Sequence, residues 1–375
     1  MRFLIIAGSP WSLVHFRGHL IEALLKSGIE VHAAAPDLSA ESQVRDRLEA
    51  MGARVHDIYL KRTGTNPLDD ARTLWALLRL IRRVGPHYVL GYTIKPVIFG
   101  SLAATWTRRP RRYALITGLG YSFSDEQGDR QQRWVRRIAV ALYKLSLRYS
   151  HKVFFQNPDD QALFRSHGIL GSTTPSVVVN GSGVDTDYFA PQPYPPVPDF
   201  LLIARLLADK GVRQFAEAAY RLKADFPEAT FTLVGDLDAN PNSITREELD
   251  RWVEDGVIRY LGHQSDVRAA FASSSVFVLP TFYREGVPRT ILEALSMGRP
   301  IITTDTPGCR ETVIEGENGY LVPARDVDEL SQAMRSFLER PELVALMGQR
   351  SRELALQKYD VHKVNAVMLK EMGVP

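Results

Sequence analysis

Four side chains in the second half of the chain have types and spacing suited to gripping an anionic, hydroxyl-rich ligand. Arg205 and Lys210 lie in Ala204-Arg205-Leu206-Leu207-Ala208-Asp209-Lys210-Gly211. Glu285 and Glu293 stand eight positions apart in Glu285-Gly286-Val287-Pro288-Arg289-Thr290-Ile291-Leu292-Glu293. The apolar run Val276 to Leu279 reads as a buried strand ended by Pro280. Pro288 then suits the first turn of a helix, where its missing N–H is no loss. Glu293 falls in the second turn and Glu285 in the preceding loop, so at about 1.5 Å rise per residue their carboxylates are roughly 10 Å apart. Between them the helix N-terminus offers unpaired N–H groups and positive partial charge, a favourable setting for phosphate. A basic pair at one strand end and an acidic pair around a helix start fit a ligand with a central diphosphate and hydroxyl-rich rings on both sides, as in a nucleotide-sugar. Two glutamates at this spacing alone also fit a capped helix with solvated acids; Arg205 and Lys210 favour a site.

The elements that must position these residues are short apolar strands alternating with amphipathic segments. Phe3 to Ala7, Val31 to Ala35, Val55 to Ile58, Tyr88 to Leu90, Tyr113 to Ile116, Val153 to Phe155 and Val177 to Val179 read as strands. Helical patterns lie between most of them, for example Leu68 to Val84 with Leu74, Leu77, Leu78 and Ile81 on one face. The proline cluster Pro191 to Pro198 reads as a stiff linker. Beyond it, Phe200 to Ala204, Thr230 to Val234, Ile258 to Leu261, Val276 to Leu279 and Pro300 to Thr303 continue the alternation. The pattern predicts two successive α/β domains with mostly parallel sheets. The first covers 1–190, joined by a returning C-terminal helix in 358–375; the linker is 191–198 and the second domain 199–357. Arg205, Gly235, Gly262 and Pro280 to Glu285 all follow strands, which places them on the ligand-binding rim of such a sheet.

Composition excludes several classes. With 45% apolar and 24% charged residues over 375 positions, the chain can build two cores. No apolar run approaches the ~18–20 residues of a membrane span. The start Met1 to Gly8 reads as a first strand, too short for a signal peptide. Cys309 is the single cysteine, which rules out an intrachain disulfide and a cysteine-based zinc site and makes a reducing cytoplasm the default. Residues 1–190 carry 25 Lys+Arg against 16 Asp+Glu (+9), and residues 191–375 carry 21 against 27 (−6), so the halves face different partners. The basic half lacks the aromatic interleaving of single-strand binders, which argues against nucleic acid.

The order of motifs resembles the retaining glycosyltransferases of family 4. The matching pieces are Asn180-Gly181-Ser182-Gly183-Val184-Asp185 through Phe189, Arg205 with Lys210-Gly211, Val234-Gly235-Asp236, and Leu261-Gly262-His263. Pro280 to Pro300 with its two glutamates and Gly316-Glu317-Asn318-Gly319 complete the series. That resemblance implies the GT-B architecture, two facing Rossmann-like domains with a donor cleft between them. Lys95-Pro96 and Thr117-Gly118-Leu119-Gly120-Tyr121 resemble the capsule and lipid-linked-oligosaccharide branch, exemplified by undecaprenyl-diphosphate-linked N-acetylgalactosaminyltransferases. The implied reaction moves a hexose or N-acetylhexosamine from a nucleotide-sugar, UDP-linked, to a polyprenyl-diphosphate-linked sugar with retention, without metal or cofactor. A soluble acceptor and a nucleotide-sugar epimerase are the alternatives.

By the same resemblance, Arg205 and Lys210 neutralise the donor diphosphate, Glu293 holds the ribose, and Glu285 binds hydroxyls of the donor sugar. Gly286, Val287, Pro288, Arg289 and Thr290 line the phosphate end, and His263 and Gln264 contact the base. Gly8 and Ser9 approach the phosphates from the first domain. Lys95, Thr117, Gly118 and Tyr121 lie on the acceptor side; Thr117 replaces a histidine found in many relatives. Asp185-Thr186-Asp187, Asp236-Leu237-Asp238 and Asp326-Val327-Asp328 match Asp-x-Asp, but three hits in one chain read as turns and caps. His15 and His19 lack the companions of a zinc set.

A membrane surface is the last expected partner. Residues 130–152 hold Arg130, Arg133, Arg136, Arg137, Lys144, Arg148 and Lys152 and no acid, with Trp134, Ile138, Leu142 and Leu145 at near-helical spacing. Arg108, Arg109, Arg111 and Arg112 beside Trp106 form a second basic cluster in 106–112. The expected location is cytoplasmic, peripheral on the inner face of the cell membrane.

Overall fold

Each half of the chain closes a parallel sheet of its own, and the switch point of each sheet determines where a ligand can sit. The computed structural model describes residues 1–62, 64, 66–119, 130–238, 240 and 242–374, with the backbone alone for 130–133. Unit 1 comprises Met1–Ser182 with His362–Pro375, and unit 2 comprises Gly183–Val361.

Unit 1 runs β1 (Arg2–Ile6), α1 (Pro10–Lys26), β2 (Glu30–Ala35), α2 (Ser42–Ala50), β3 (Arg54–Asp57), α3 (Pro67–Val84), β4 (Tyr88–Tyr92), α4 (Ile94–Thr107), β5 (Arg111–Ile116), α5 (Arg130–Leu147), β6 (Lys152–Phe155), α6 (Pro158–Ser166) and β7 (Ser176–Val178). Its strands pair in parallel in the order β3-β2-β1-β4-β5-β6-β7. Residues such as Phe3, Leu4, Ile5 and Ile6 are wholly buried because both sheet faces are covered by helices. Leu77, Ile81, Val97, Phe99 and Tyr143 pack on one face, and Leu13, Leu20, Ile21 and Leu48 on the other.

Unit 2 runs β8 (Asp199–Ile203), α7 (Val212–Asp225), β9 (Thr230–Val234), α8 (Arg246–Glu254), β10 (Arg259–Tyr260), α9 (Arg268–Ala272), β11 (Val276–Leu279), α10 (Arg289–Ser296), β12 (Ile301–Thr304), β13 (Gly319–Val322), α11 (Val327–Glu339) and α12 (Glu342–Leu354). The parallel order is β10-β9-β8-β11-β12-β13. The last helix, α13 (Val361–Met372), returns to unit 1. Its Met368 and Met372 enter the core beside Phe3 and Ile5, and the Tyr113 hydroxyl donates to Met372 O at 2.6 Å. Burying each methionine contributes about 1.5–3 kcal/mol to that docking.

The prolines are not the crossing between units, which corrects the expected 191–198 linker. The chain crosses at Ser182/Gly183 and at Val361/His362. The proline segment is fastened to unit 2 by Arg299, a wholly buried guanidinium that donates to Gln192 O at 2.9 Å, Pro193 O at 3.1 Å and Phe271 O at 3.0 Å. The same guanidinium lies 4.7 Å over the Tyr194 ring. Three charge-assisted bonds and a stacked ring hold these residues as a strap, so their stiffness serves packing.

Candidate active site

In a parallel sheet, ligands bind outside the carboxyl ends of strands where the strand order reverses. In unit 2 that point lies between β8 and β11, so the loops after these strands, carrying Arg205–Lys210 and Pro280–Glu285, meet there. Gly211 allows the approach: a β-carbon there would lie 2.2 Å from Pro280 O, and its φ is +76°. Asp209 then joins the loops. Its carbonyl accepts from Phe282 N at 2.9 Å, Tyr283 N at 3.1 Å and Thr281 Oγ1 at 2.9 Å, while its carboxylate accepts from Asn242 Nδ2 at 2.5 Å.

Lys210 and Glu285, both largely buried, form an ion pair, and the lysine Nζ lies 5.1 Å over the Tyr283 ring. Beneath them Gly308 packs so closely that a β-carbon would sit 1.8 Å from Gly286 O and 2.9 Å from Glu285 O. The neighbouring Cys309 thiol is buried, and burial first, then the Glu285 charge, pushes its pKa up to about 12.

Helix α10 begins after Pro288, which stands at the cap with φ −63°. Ile291, Leu292, Ala294 and Leu295 anchor the helix in the core. Glu293 is only 7% exposed and accepts from Arg289 Nε at 2.8 Å. Burial raises its pKa above the ordinary value, and the Arg289 charge opposes that shift. Gly286, Val287 and Pro288 are buried and Thr290 is half-buried, so the loop from Glu285 into α10 is a packed structure.

The basic residues are not a bare pair. Exposed Arg205 binds Asp238 Oδ2 at 3.2 Å, and exposed His263 Nδ1 lies 2.9 Å from Asp236 Oδ2. Gln264 donates to Leu261 O at 2.7 Å, bracing its own loop. Asp236 and Asp238, discounted in the sequence as turn residues, therefore partner two site residues. The other two Asp-x-Asp matches are turns and caps: Asp185 accepts from Asp187 N and Tyr188 N, and Asp326 accepts from Glu329 N at the start of α11. Among the described residues, no three His, Cys, Asp or Glu side chains gather as a metal-ion site.

Unit 1 has its switch point between β1 and β4. Gly8 and Ser9 follow β1, and Ser9 is the extended cap of α1. A β-carbon at Gly8 would lie 3.0 Å from Thr93 Oγ1, the residue after β4. Thr93 has φ +65°, an outlier for a β-branched residue and one that sequence reading missed. Lys95, in the first turn of α4, pairs with Asp70 Oδ1 at 2.8 Å. Thr117 and Gly118 follow β5 and are half-buried; Tyr121 lies outside the described residues. Gly8, Ser9, Lys95 and Thr117 belong to a different unit from Arg205, Lys210, Glu285 and Glu293.

Comparison with known proteins covers both units. The profile described as "Glycosyl transferase 4-like domain" matches residues 14–181, and "Glycosyl transferases group 1" matches 197–340. The chain is 30% identical over 384 residues to the N,N'-diacetylbacillosaminyl-diphospho-undecaprenol alpha-1,3-N-acetylgalactosaminyltransferase of Campylobacter jejuni, covering 99% of this chain and 98% of that protein. It is 22% identical to the capsular polysaccharide biosynthesis glycosyltransferase CapM of Staphylococcus aureus, covering 90% and 88%. In fold it is similar to the sucrose-phosphate synthase of Thermosynechococcus elongatus (TM-score 0.80, 17% identity, 99% and 98% covered). The same holds for Anabaena Alr3699/HepE in complex with UDP (TM-score 0.78, 19% identity, 100% of both chains).

Proposed function

Because the chain belongs to the family 4 type of glycosyltransferase, with the two parallel-sheet domains of the GT-B fold, we propose which transfer it performs. It moves a hexose or N-acetylhexosamine, in the first instance N-acetylgalactosamine, from a UDP-sugar to a polyprenyl-diphosphate-linked sugar at the cytoplasmic membrane face, in surface polysaccharide or glycan assembly. The observation that carries this reading is the end-to-end likeness to the undecaprenol-linked transferase of C. jejuni.

The site chemistry supports the same reading. Breaking the bond between the sugar and the diphosphate leaves negative charge on the departing phosphate, and Arg205, Lys210 and the start of α10 are the groups to receive it. Lys210 also fixes Glu285, so that carboxylate serves to orient sugar hydroxyls and is not the attacking group. The acceptor hydroxyl attacks on the leaving-group face and passes its proton to a phosphate oxygen, which retains the α configuration. Glu293, buried in the second turn of α10, accepts from the ribose hydroxyls, and His263 and Gln264 border the base. With two side-chain cations at the phosphates, no metal ion is needed.

Unit 1 supplies the acceptor side and the membrane contact. On α5, Trp134 and Leu145 are exposed together with Arg137 and Lys144, and Arg148 just beyond its end is exposed as well; in the 106–112 cluster, Trp106, Arg108 and Arg109 are exposed. Leu142, expected in the same stripe, is half-buried and packs against the core of unit 1, so it sits at the edge of that face. No helix among the described residues is long and apolar enough to cross a membrane.

Incubation with radiolabelled UDP-N-acetylgalactosamine and a short-chain prenyl-diphosphate sugar tests the assignment. Label should enter a butanol-extractable product with an α linkage by NMR. Label remaining in water-soluble sugar, or a β linkage, refutes the acceptor or the stereochemistry respectively.

A further inference from the structure

We propose that α3 is a second membrane-docking helix that, with α5, seats unit 1 on an anionic bilayer; this rests on the lipid-linked acceptor reading above. The sequence marks α3 only as an amphipathic core helix, and its outward face makes the case. Leu68, Arg72, Trp75, Arg79, Arg82 and Arg83 recur at intervals of about three to four residues and are all exposed. Leu68 is 74% and Trp75 58% exposed, and the Arg79 guanidinium lies 4.0 Å from the Trp75 ring centre. The two acids of the helix leave this face to the arginines. Asp69 is buried against the Tyr59 hydroxyl and Lys61, and Asp70 pairs with Lys95.

The packing gives α3 and α5 a common outward direction. Helix α4 packs against both, and Leu77, Leu80 and Ile81 of α3 share one core with Val97 and Phe99 of α4 and Tyr143 and Leu147 of α5. Since α3 and α5 bury their inner faces against the same side of one sheet, their outer faces turn away from it together. Each carries an exposed tryptophan and an exposed leucine among arginines or lysines, the composition of a helix lying in a lipid interface. A nucleic acid would be served by the arginines alone and leaves Leu68 and Trp75 unexplained. An anionic bilayer takes both, burying the apolar pair at headgroup level while the arginines meet phosphate.

The test is flotation of the full chain on phosphatidylcholine vesicles with and without phosphatidylglycerol. Two variants are compared: Arg79→Glu/Arg82→Glu/Arg83→Glu on α3 and Arg136→Glu/Arg137→Glu on α5. Each basic residue near such a surface is worth about fivefold in partitioning. The α3 triple variant should therefore lose at least about a hundredfold, with wild-type binding requiring phosphatidylglycerol and weakening with salt. Leu68→Ser, which leaves the charge unchanged, should also weaken binding. The α3 variant, with a wild-type circular dichroism spectrum, should keep its turnover on a short-chain water-soluble acceptor and lose it on a bilayer-held one. The proposal is overturned if the α3 variant floats like wild type while the α5 variant does not, or if wild type fails to float. It is equally overturned if a DNA duplex competes for the face as well as anionic vesicles do. Failure of turnover on the short-chain acceptor sinks the lipid-linked acceptor reading instead, and flotation reports on α3 independently of it.

Discussion

Gly308→Ala separates a site residue's position from ordinary glycine strain. Gly308 and Gly316 both have left-handed backbone, φ +86° and +75°, so alanine at either carries a similar conformational penalty of about 1 kcal/mol. Their surroundings differ. At Gly316 a β-carbon meets nothing within 4 Å, whereas at Gly308 it would lie 1.8 Å from Gly286 O and 2.9 Å from Glu285 O. Contacts under 3.0 Å are essentially never seen for a real β-carbon, so the Glu285–Gly286 backbone must withdraw by at least 1.2 Å (3.0 minus 1.8). A misplacement of about 1 Å at a reacting centre lowers rate about a hundredfold. Overpacking adds about 1–3 kcal/mol of destabilisation, which in a domain of this size lowers Tm by several degrees. Steady-state kcat/KM with UDP-sugar and thermal melting of both variants provide the measurement. Gly308→Ala should lose about a hundredfold in kcat/KM while still folded, and Gly316→Ala should stay within a few-fold of wild type. Equal kinetic loss in the two variants, or near-wild-type rates in Gly308→Ala, would falsify the role given to the Glu285 loop.

Arg205→Ala and Lys210→Ala should each lower turnover by about a hundredfold or more. Only Lys210→Ala should also lower Tm, because Arg205 is exposed beside a half-buried Asp238 whereas Lys210 and Glu285 are largely buried; wild-type rates in both variants would remove the diphosphate assignment. Activity should survive EDTA, and complete loss on chelation with rescue by Mn²⁺ or Mg²⁺ would contradict the metal-free reading. Glu248, which bonds to Arg213 and forms a capping box with Thr245, has its pKa depressed from 4.5 to about 2, chiefly by Arg213. A depressed carboxylate stabilises the fold above its unfolded value and loses that contribution as pH falls through the folded one. Between pH 4.5 and 2, Tm should therefore fall more steeply in wild type than in Glu248→Gln, and parallel curves would rule the pair out as a source of acid sensitivity.

The sheet strands were legible because buried parallel strands read as short apolar runs, and most observed strands lie within a residue or two of their expected limits. Strand β13 escaped notice since Gly319–Val322 is short and opens with glycine, where its backbone passes against Ile301. The proline segment misled for a different reason. Clustered prolines signal a stiff linker locally, and the Arg299 guanidinium that fastens the segment comes from more than 100 residues away. The same limit applies at the site. The placement of Arg205 after β8, of Glu285 in the loop before α10 and of Glu293 within that helix could be read from strand ends and the helix start. Asp209, Asn242, Asp236 and Asp238 could not, because their significance lies in partners on other loops. The one local signal for Thr93 was its place after a strand and three residues before Pro96, within the first turn of the next helix.

On the donor reading, the ion pairs at the rim assign different work to its two cations. In the Arg205–Asp238 pair the arginine is exposed and the aspartate half-buried, so water reaches both, and such surface pairs are worth about 0–1 kcal/mol. An incoming diphosphate, carrying more charge than one carboxylate, can therefore take Arg205 at little loss. Lys210 and Glu285 are largely shielded from water, so separating them would leave two poorly solvated charges, which typically costs about 3–5 kcal/mol. A donor does better to bind this pair whole, with phosphate against the lysine and sugar hydroxyls against the glutamate. The Asp209 carbonyl enforces the same result through the backbone, since its three bonds to Thr281, Phe282 and Tyr283 tie the Lys210 turn to the Glu285 loop. Charge exchange at Arg205 and rigidity at Lys210–Glu285 are thus complementary. One cation is released to meet the departing phosphate, and the other holds fixed the carboxylate that must orient the sugar while the bond breaks.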